Sequence, residues 1–364
     1  MTEVVSRGQG RGRQARARVE VLLGALAFAA SVPAGKVLLH DFRPLVLSGG
    51  LYLSAGLFCA VLLALGSRRP GTRENRLQGH DWRWLMAAIA AGGVLGPLAL
   101  FYGLRWTNGY VAGLLLNFEA VFTVALGAAF STERVGKRGL GGVLLILAGA
   151  ILLSGLGPWG TGAMLPLGPI LVVAACAFWG LDNNLTQRIS LRDARRIVAI
   201  KGLVGGAVSL SLALLFRQTG ALPGARSILT IAVLGSVSYG LSIVLFIRGL
   251  RELGIVQTGA LFASAPGFAA LLSWVFLREP MHPAALLALA GMTGGALLLS
   301  TDVHEHEHTH EAAEHAHEHE HDEHHQHEHQ PGQLEEVPHE HWHRHEPLRH
   351  RHSHTHDVHH RHPH

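Results

Sequence analysis

Several side chains that could do chemistry lie inside stretches of the chain that are otherwise apolar. The most isolated is Glu119, which follows Asn117 by two residues. A carboxylate in such a setting could bind a solute or exchange a proton, or it could form a structural hydrogen bond to a neighbouring helix. The candidate residues for a substrate cavity or a gate are Lys36, Asn117, Glu119, Trp179, Asp182, Asn183, Asn184 and Lys201.

Two of these candidates are basic. Lys36 follows Pro33, which could break a helix, and it could pair with Glu119, meet an anionic solute or extend to the lipid headgroups. Lys201 lies at a depth similar to that of Asp182, so these two residues could form an ion pair. The polar cluster around Asp182 could line an inner gate, or it could fix the turn that follows it.

The apolar stretches set the class of protein. Each is roughly as long as the 17–25 residues that a helix needs to cross a bilayer, and lipid offers no partners to open strand edges. They are apolar on all sides, which argues against a soluble helical bundle. The sequence therefore predicts an all-α integral membrane protein. The predicted spans are 19–39, 44–65, 84–104, 110–130, 139–156, 168–188, 197–216, 228–248, 256–277 and 283–300.

Basic residues in the loops predict the orientation. The N-terminal arginines before the first span resemble those of a signal peptide, but we interpret this long run, which contains Lys36, as a retained span. With the N-terminus inside, nineteen Lys and Arg residues lie on the cytoplasmic side and five lie outside. The positive-inside rule therefore places both termini in the cytoplasm, in a multi-pass protein of the inner (cytoplasmic) membrane.

A repeat organises the spans. Segment 103–154 recurs without a gap 146 residues later, at 249–300. The copies share Glu133 and Glu279 at hairpin turns, where a structural role is expected. Five spans separate the copies, and since five is odd, they cross the membrane in opposite senses. Such inverted repeats are common in secondary transporters. The predicted domains are a basic N-terminus (1–18), two five-helix repeats (19–156 and 168–300) and a tail (301–364).

Particular segments of both copies resemble a known family. The run LLLNFEAVFT at 114–123 is followed by Glu133, and ASAP at 263–266 is followed by Glu279. These segments are similar to those of EamA-type carriers in the drug/metabolite transporter superfamily, although the first copy has Ala120 where the second has Pro266. The resemblance implies ten helices in two repeats. It implies no particular substrate, since the family carries amino acids, sugars, nucleotides, drugs and other metabolites.

The tail has a different composition. Residues 302–364 hold 24 of the 27 histidines, alternating with acidic residues and with few large apolar ones. Such a tract is expected to be disordered. Closely spaced imidazoles could bind Ni, Zn, Co or Cu, although low-complexity drift without a function is also possible. The candidate metal ligands are His304, His306, His308, His310, His315, His317, His319, His321, His324 and His325.

Three functional hypotheses follow. The first is a secondary transporter that exports a small metabolite by alternating access, with the bilayer and a small solute as partners. The second is a divalent transition-metal exporter fed by the tail, and the third is a membrane-anchored metal-binding or sensing protein. No recognisable motif supports an enzyme, a required cofactor or nucleic-acid binding. The substrate, the coupling ion and the oligomeric state are not predicted.

Overall fold

The structure is a computed structural model that describes most of the membrane region and four short segments of the tail. The described residues are 2–66, 77–130, 136–154, 167–218, 224–279, 283–300, 305–310, 313–319, 339–345 and 348–353. Within the membrane region they form fourteen α-helices and two π-helical segments, Ile89–Leu95 and Gly235–Leu241. The α-helices are α1 (Thr2–Ala29), α2 (Ser31–Leu38), α3 (Pro44–Gly66), α4 (Asp81–Ala88), α5 (Gly96–Arg105), α6 (Gly109–Leu115), α7 (Phe118–Phe130), α8 (Lys137–Ser154), α9 (Leu167–Gln187), α10 (Ala194–Leu215), α11 (Ala225–Leu234), α12 (Ser242–Phe262), α13 (Ala265–Leu277) and α14 (Pro283–Ser300).

Each of the ten predicted spans coincides with one of these helices or with a run of consecutive ones. The all-α fold is therefore confirmed. Helix α13 (Ala265–Leu277) and the part Pro283–Leu298 of α14 are apolar stretches shorter than 18 residues. Among the described residues, the stretches long and apolar enough to cross a membrane are Gln14–Leu38, Pro44–Leu65, Asp81–Arg105, Gly109–Gly127, Ala194–Leu215 and Ala225–Leu253.

The predicted boundary between the eighth and ninth spans lies inside one helix. The sequence predicts that the eighth span ends at residue 248 and the ninth begins at 256, and α12 runs from Ser242 to Phe262. In the first copy, the equivalent helices α5 and α6 are separated by residues 106–108, and Asn108 is extended (φ −62°, ψ 145°). The chain also turns back within α12, because a Cβ on Gly249 would lie 2.9 Å from Cγ2 of Thr258, whereas nine residues of straight helix span about 13.5 Å.

The backbone reproduces the repeat. Helices α8 and α14 begin at Lys137 and Pro283, and both their starts and their ends are 146 residues apart. The two π-helical segments are also 146 residues apart. The duplicated pattern therefore extends further toward the N-terminus than the segment 103–154 found in the sequence.

The packing of the helices follows the same relation. Helix α3 packs on α10, α6 on α13, and α8 on α14, so the second, fourth and fifth spans of one repeat each contact their counterpart in the other. Helix α1 of the first span contacts α12 of the eighth, and α5 of the third span contacts α9 of the sixth. Each of these two contacts becomes the other when the two repeats are interchanged. These pairings are those expected of two five-helix repeats related by an approximate two-fold axis. The domain boundaries given above remain predictions.

In the tail, only the backbone of four short strands is described. Strand β1 (Glu305–His310) pairs antiparallel with β4 (Leu348–Ser353), and β2 (Ala313–His319) pairs with β3 (His339–His345). These pairings were not predicted. The alternation of His with other residues has a period of two, which an extended strand accommodates. The side chains of the predicted metal-ligating histidines lie outside the described part of the chain, so metal binding stays a prediction.

Candidate substrate site at the helix breaks

Three membrane spans are interrupted within their apolar length. The breaks in the described chain lie between α1 and α2, between α6 and α7, and between α12 and α13. Ala29, Leu116 and Ala265 flank these breaks, and all three belong to one continuous buried cluster. Broken helices expose backbone groups that can bind a solute at membrane depth. The region between the breaks is therefore the candidate site.

The break in the first span has a local cause. Proline has no N–H to donate, so Pro33 leaves the carbonyl of Ala29 without its usual helical partner. Pro33 was expected to be able to break the helix, and helix α1 ends at Ala29 while α2 begins at Ser31. The interruption thus lies one turn before the proline, at the carbonyl that the proline cannot pair.

The breaks in the fourth and ninth spans use different side chains. The Asn117 amide donates to the carbonyl of Leu114 at 2.8 Å, and the Ser264 hydroxyl donates to the carbonyl of Leu261 at 2.8 Å. Short polar side chains compete in this way with the helical hydrogen bonds of the backbone. The second copy adds Pro266 in the first turn of α13. Both copies therefore break at nearly equivalent positions.

Glu119 lies at the start of α7 and connects the two repeats. Asn183 on α9 donates to Glu119 Oε1 at 2.9 Å and to the hydroxyl of Thr123 at 3.2 Å. The neighbouring Asn184 donates to the carbonyl of Thr123 at 2.9 Å. Helices α7 and α9 approach closely at Gly180, where an added Cβ would lie 2.7 Å from Cβ of Phe122. The structure thus contains the interhelical hydrogen bond that was one of the two interpretations of Glu119.

Some acceptor atoms at this break have no donor. Glu119 is half-buried, and only its Oε1 accepts a hydrogen bond within the part of the chain that the structure describes. Asn117 is 1% exposed, and its Oδ1 has no partner there either. Buried acceptors without donors are unfavourable. The site therefore has unused capacity to accept hydrogen bonds from a ligand.

Asp182 and Lys201 are brought together in the interior. Lys201 Nζ donates to both carboxylate oxygens of Asp182, and the Thr186 hydroxyl donates to Oδ1 at 3.0 Å. Asp182 is 7% exposed and Lys201 is 2% exposed. Charges so far from water are tolerated only when they are paired and hydrogen-bonded, as they are here.

The first π-helical segment makes room for this pair. A Cβ at Gly92 would overlap the carboxylate of Asp182, and a Cβ at Gly96 would lie 2.7 Å from Nε1 of Trp179. The carbonyl of Gly92 accepts hydrogen bonds from the Tyr52 hydroxyl and, at 3.3 Å, from Trp179 Nε1. Neither Gly92 nor Tyr52 is among the candidates chosen from the sequence. Their roles depend on residues that are distant in the sequence.

An aromatic cluster lies one helical turn from the Glu119 network. Trp179 precedes Asn183 by four residues on α9, so their side chains share one face of that helix. The ring of Phe28 lies 5.8 Å from that of Trp179 and 6.0 Å from that of Tyr239. The Tyr52 and Tyr239 rings are 5.2 Å apart. These residues come from both repeats, so the cluster lies where the repeats meet.

In the structure, the Lys36 amine contacts backbone carbonyls and not the carboxylate of Glu119. Its amine donates to the carbonyls of Leu104, at 2.6 Å, and of Thr107. Across the same corner, Glu279 accepts hydrogen bonds from the backbone N–H groups of Gly109 (2.9 Å) and Tyr110 (3.2 Å). A cation at the end of α5 and a carboxylate at the start of α6 both complement the helix dipoles. This geometry matches the structural role expected for Glu279, while Glu133 lies outside the described residues.

Among the side chains that the structure describes, no group of three or more His, Cys, Asp and Glu residues is placed to hold a metal ion. Cys59 and Cys176 are both buried as free thiols. The candidate site is thus composed of a carboxylate, amides, hydroxyls and aromatic rings.

The comparisons with known proteins agree with this architecture. A crystal structure with 20% sequence identity superposes with a TM-score of 0.60, covering 78% of this chain and 96% of the other, which supports the fold. An uncharacterized transporter of Methanothermobacter thermautotrophicus is 30% identical over 72% of this chain and 79% of its own length. A probable terminal-alkyne amino-acid exporter of Streptantibioticus cattleyicolor is 25% identical, over 77% of this chain and 92% of its own. Residues 19–155 and 166–301 each match the EamA-like transporter family, to which this multi-pass membrane protein therefore belongs.

Proposed function

We propose that this protein is a secondary carrier that exports a small organic metabolite across the cytoplasmic membrane by alternating access between its two inverted repeats. The observation that carries the proposal is the contact between Glu119 of the first repeat and Asn183 of the second, 2.9 Å apart beside three broken spans. A solute that binds there contacts both repeats. Rocking of one repeat against the other would then transfer the solute from one side to the other.

Two charged contacts support the existence of alternative states. The Asp182–Lys201 pair packs against the π-helical segment of the first repeat. Lys36 holds the corner between α5 and α6 within the first repeat, and Glu279 of the second repeat accepts a hydrogen bond from Gly109 at the same corner. Such contacts can form and separate as units, which gives the two discrete arrangements that a carrier needs. Export is supported by the exporter among the relatives.

The test is a survey of metabolites and metals in cells with and without the protein, followed by transport in proteoliposomes. We expect a small organic solute to accumulate in cells that lack the protein and to be carried by the purified protein. Glu119→Ala should abolish this transport. If no solute moves, or if Glu119→Ala leaves transport unchanged, the proposed site is wrong.

The same survey addresses the tail. A variant that lacks residues 302–364 should carry the organic solute at the rate of the full chain, because the site residues all lie within 19–301. If the deletion instead lowers metal tolerance and leaves metabolite levels unaffected, the protein is a metal exporter fed by the tail. If metal is bound but no solute moves, a membrane-anchored sensor is favoured.

A further inference from the structure

We infer that Arg83 and Arg188, whose guanidinium groups both lie over the ring of Trp84, bind the phosphate of an anionic membrane lipid where the two repeats meet. This inference concerns a lipid and not the solute, so it does not depend on the proposed carrier function. Three observations support it: two positive charges without an acidic partner, exposed apolar side chains beside them, and a position at the ends of two membrane spans.

The two arginines are close together and lack a counter-charge. The guanidinium carbon of Arg83 lies 4.6 Å from the centre of the Trp84 ring, and that of Arg188 lies 4.3 Å from it. Their charges are therefore nearer to each other than the roughly 10 Å over which salt screens a charge. Both residues are exposed, and neither forms an ion pair with a carboxylate that the structure describes. An anion bound to both would relieve their repulsion.

The acidic residues beside this pair already have partners. Asp81, at the start of α4, binds Arg192 at 2.8 Å, and Asp193 binds Arg195 at 3.2 Å. Helix α4 and the turn between α9 and α10 contain no other acidic residue. The counter-charge for the two arginines over Trp84 is therefore left to a ligand.

The hydrogen-bond donors of the two arginines suit a phosphate. Neither guanidinium of Arg83 and Arg188 donates to another residue within the part of the chain that the structure describes. Each has five N–H donors in a planar fork, which matches the oxygen atoms of a phosphate group. The contact of a guanidinium with an aromatic face does not use an acceptor for these donors. Two such forks can bind the phosphate of one lipid together.

The position of the pair corresponds to the headgroup layer. The membrane-spanning stretch Asp81–Arg105 begins two residues before Arg83, and α9 ends directly before Arg188. On α4, Trp82 and Met86 are 44% and 40% exposed and share one face of the helix. Such a face contacts acyl chains, and Trp is common at this depth. The sequence predicts that this side is cytoplasmic, where the leaflet contains anionic lipids.

A lipid bound here would join the two repeats. Arg83 is on α4 of the first repeat, and Arg188 follows α9 of the second, against which α4 packs. The ion pair between Asp81 and Arg192 already links the same two segments. A phosphate held by both arginines adds a second link, so the lipid stabilises the arrangement of the repeats in this structure.

Bromine atoms on acyl chains quench tryptophan fluorescence at short range, which reports lipid beside Trp84. The full chain would be reconstituted in phosphatidylcholine bilayers with a small fraction of brominated phosphatidylglycerol, or of phosphatidylcholine with the same brominated chains. The difference in quenching between the unaltered protein and Trp84→Phe isolates the signal of Trp84. We expect phosphatidylglycerol to bind there roughly tenfold more tightly than phosphatidylcholine, and inorganic phosphate not to displace it.

Variants then assign the preference to the two arginines. Arg83→Gln and Arg188→Gln should each weaken the binding of phosphatidylglycerol about fivefold and leave that of phosphatidylcholine unchanged. The corresponding lysine variants keep the charge and lose the planar fork, so they should retain part of the preference. The matched control is Arg105→Gln, which should keep it, because Arg105 is also exposed beside an exposed tryptophan, Trp106, at the opposite end of the same span.

The possible outcomes decide the inference. If the two brominated lipids quench Trp84 equally, or if the double glutamine variant keeps the preference, the inference is overturned. If inorganic phosphate displaces the lipid, the site holds a free anion, and if Arg105→Gln lowers the preference equally, the effect is one of net charge; either result also overturns it. If the variants do not fold, the comparison of the two lipids in the unaltered protein decides. A carrier that moves no solute would leave this inference standing.

Discussion

At the break in the fourth span, the first repeat has Asn117 and Glu119, whereas the equivalent positions of the ninth span are Ala263 and Ala265. The backbone nevertheless breaks at nearly the same place in both spans. The break is thus common to both copies, whereas the amide of Asn117 and the carboxylate of Glu119 occur only in the first. This difference is the reason for placing the proposed solute contact at Glu119.

The two π-helical segments show a similar contrast. The first has Gly92 and Gly93, and the space beside Gly92 is occupied by the carboxylate of Asp182. The second has Ser238 and Tyr239 at the equivalent positions, and the Tyr239 ring packs against the ring of Phe28, 6.0 Å away. One segment therefore faces an ion pair and the other faces aromatic rings. Two pairs of substitutions test this contrast, and a third compares the hairpin glutamates of the two repeats, in order of expected effect.

The largest effect is expected from the ion pair. Asp182→Ala or Lys201→Ala leaves one buried charge without its partner, which typically lowers the free energy of unfolding by about 3–5 kcal/mol. Tyr239→Phe, in the other π-helical segment, removes a neutral hydroxyl that lies near Ser31, so it should cost no more than one hydrogen bond, about 1 kcal/mol. Denaturant unfolding in detergent measures both. If the ion-pair variants and Tyr239→Phe lose the same free energy of unfolding, the two π-helical segments do not differ in this way.

A smaller effect is expected at the glycine itself. Gly92→Ala forces a methyl group against the Asp182 carboxylate, and overpacking of this kind costs about 1–3 kcal/mol. Ser238→Ala is the matched change 146 residues later, where a side chain is already accommodated, so its cost should be below that range. Thermal unfolding of the two variants compares them. If Gly92→Ala leaves the thermal stability unchanged, the ion pair does not need this space.

The smallest effect is expected at the hairpin glutamates. Glu279→Gln keeps a side chain that can accept hydrogen bonds at Gly109 and Tyr110 but removes its charge, and such helix N-terminal interactions are worth about 1 kcal/mol. Glu133→Gln is the matched change in the first repeat. Equal losses in the same unfolding assay would support the shared structural role predicted for the two residues. A loss for Glu279→Gln alone would restrict that role to the second repeat.

Part of this site could be predicted from the sequence. Glu119, Asp182 and Lys201 are conspicuous because a charge inside an apolar stretch needs a reason. The environment of Lys36 could not be predicted, since its long side chain reaches carbonyls 68 and 71 residues away. The role of Gly92 was missed for the same reason: a glycine shows that space is needed but not which side chain fills it. Tyr52 and Thr123 carry no local signal that distinguishes them from ordinary span residues.

The sequence by itself determined the class, the spans and the repeat. Lipid permits few structures, so apolar length and loop charge are sufficient to predict helices, and a constant offset of 146 residues is sufficient to relate the copies. Only the tertiary structure decided which polar groups meet. The Asp182–Lys201 pair was expected from the sequence, but the contact of Asn183 with Glu119 across 64 residues of chain was not, nor was that of Lys36 with the Leu104 carbonyl. Such pairings depend on how the helices pack against one another, which no local pattern in the chain specifies.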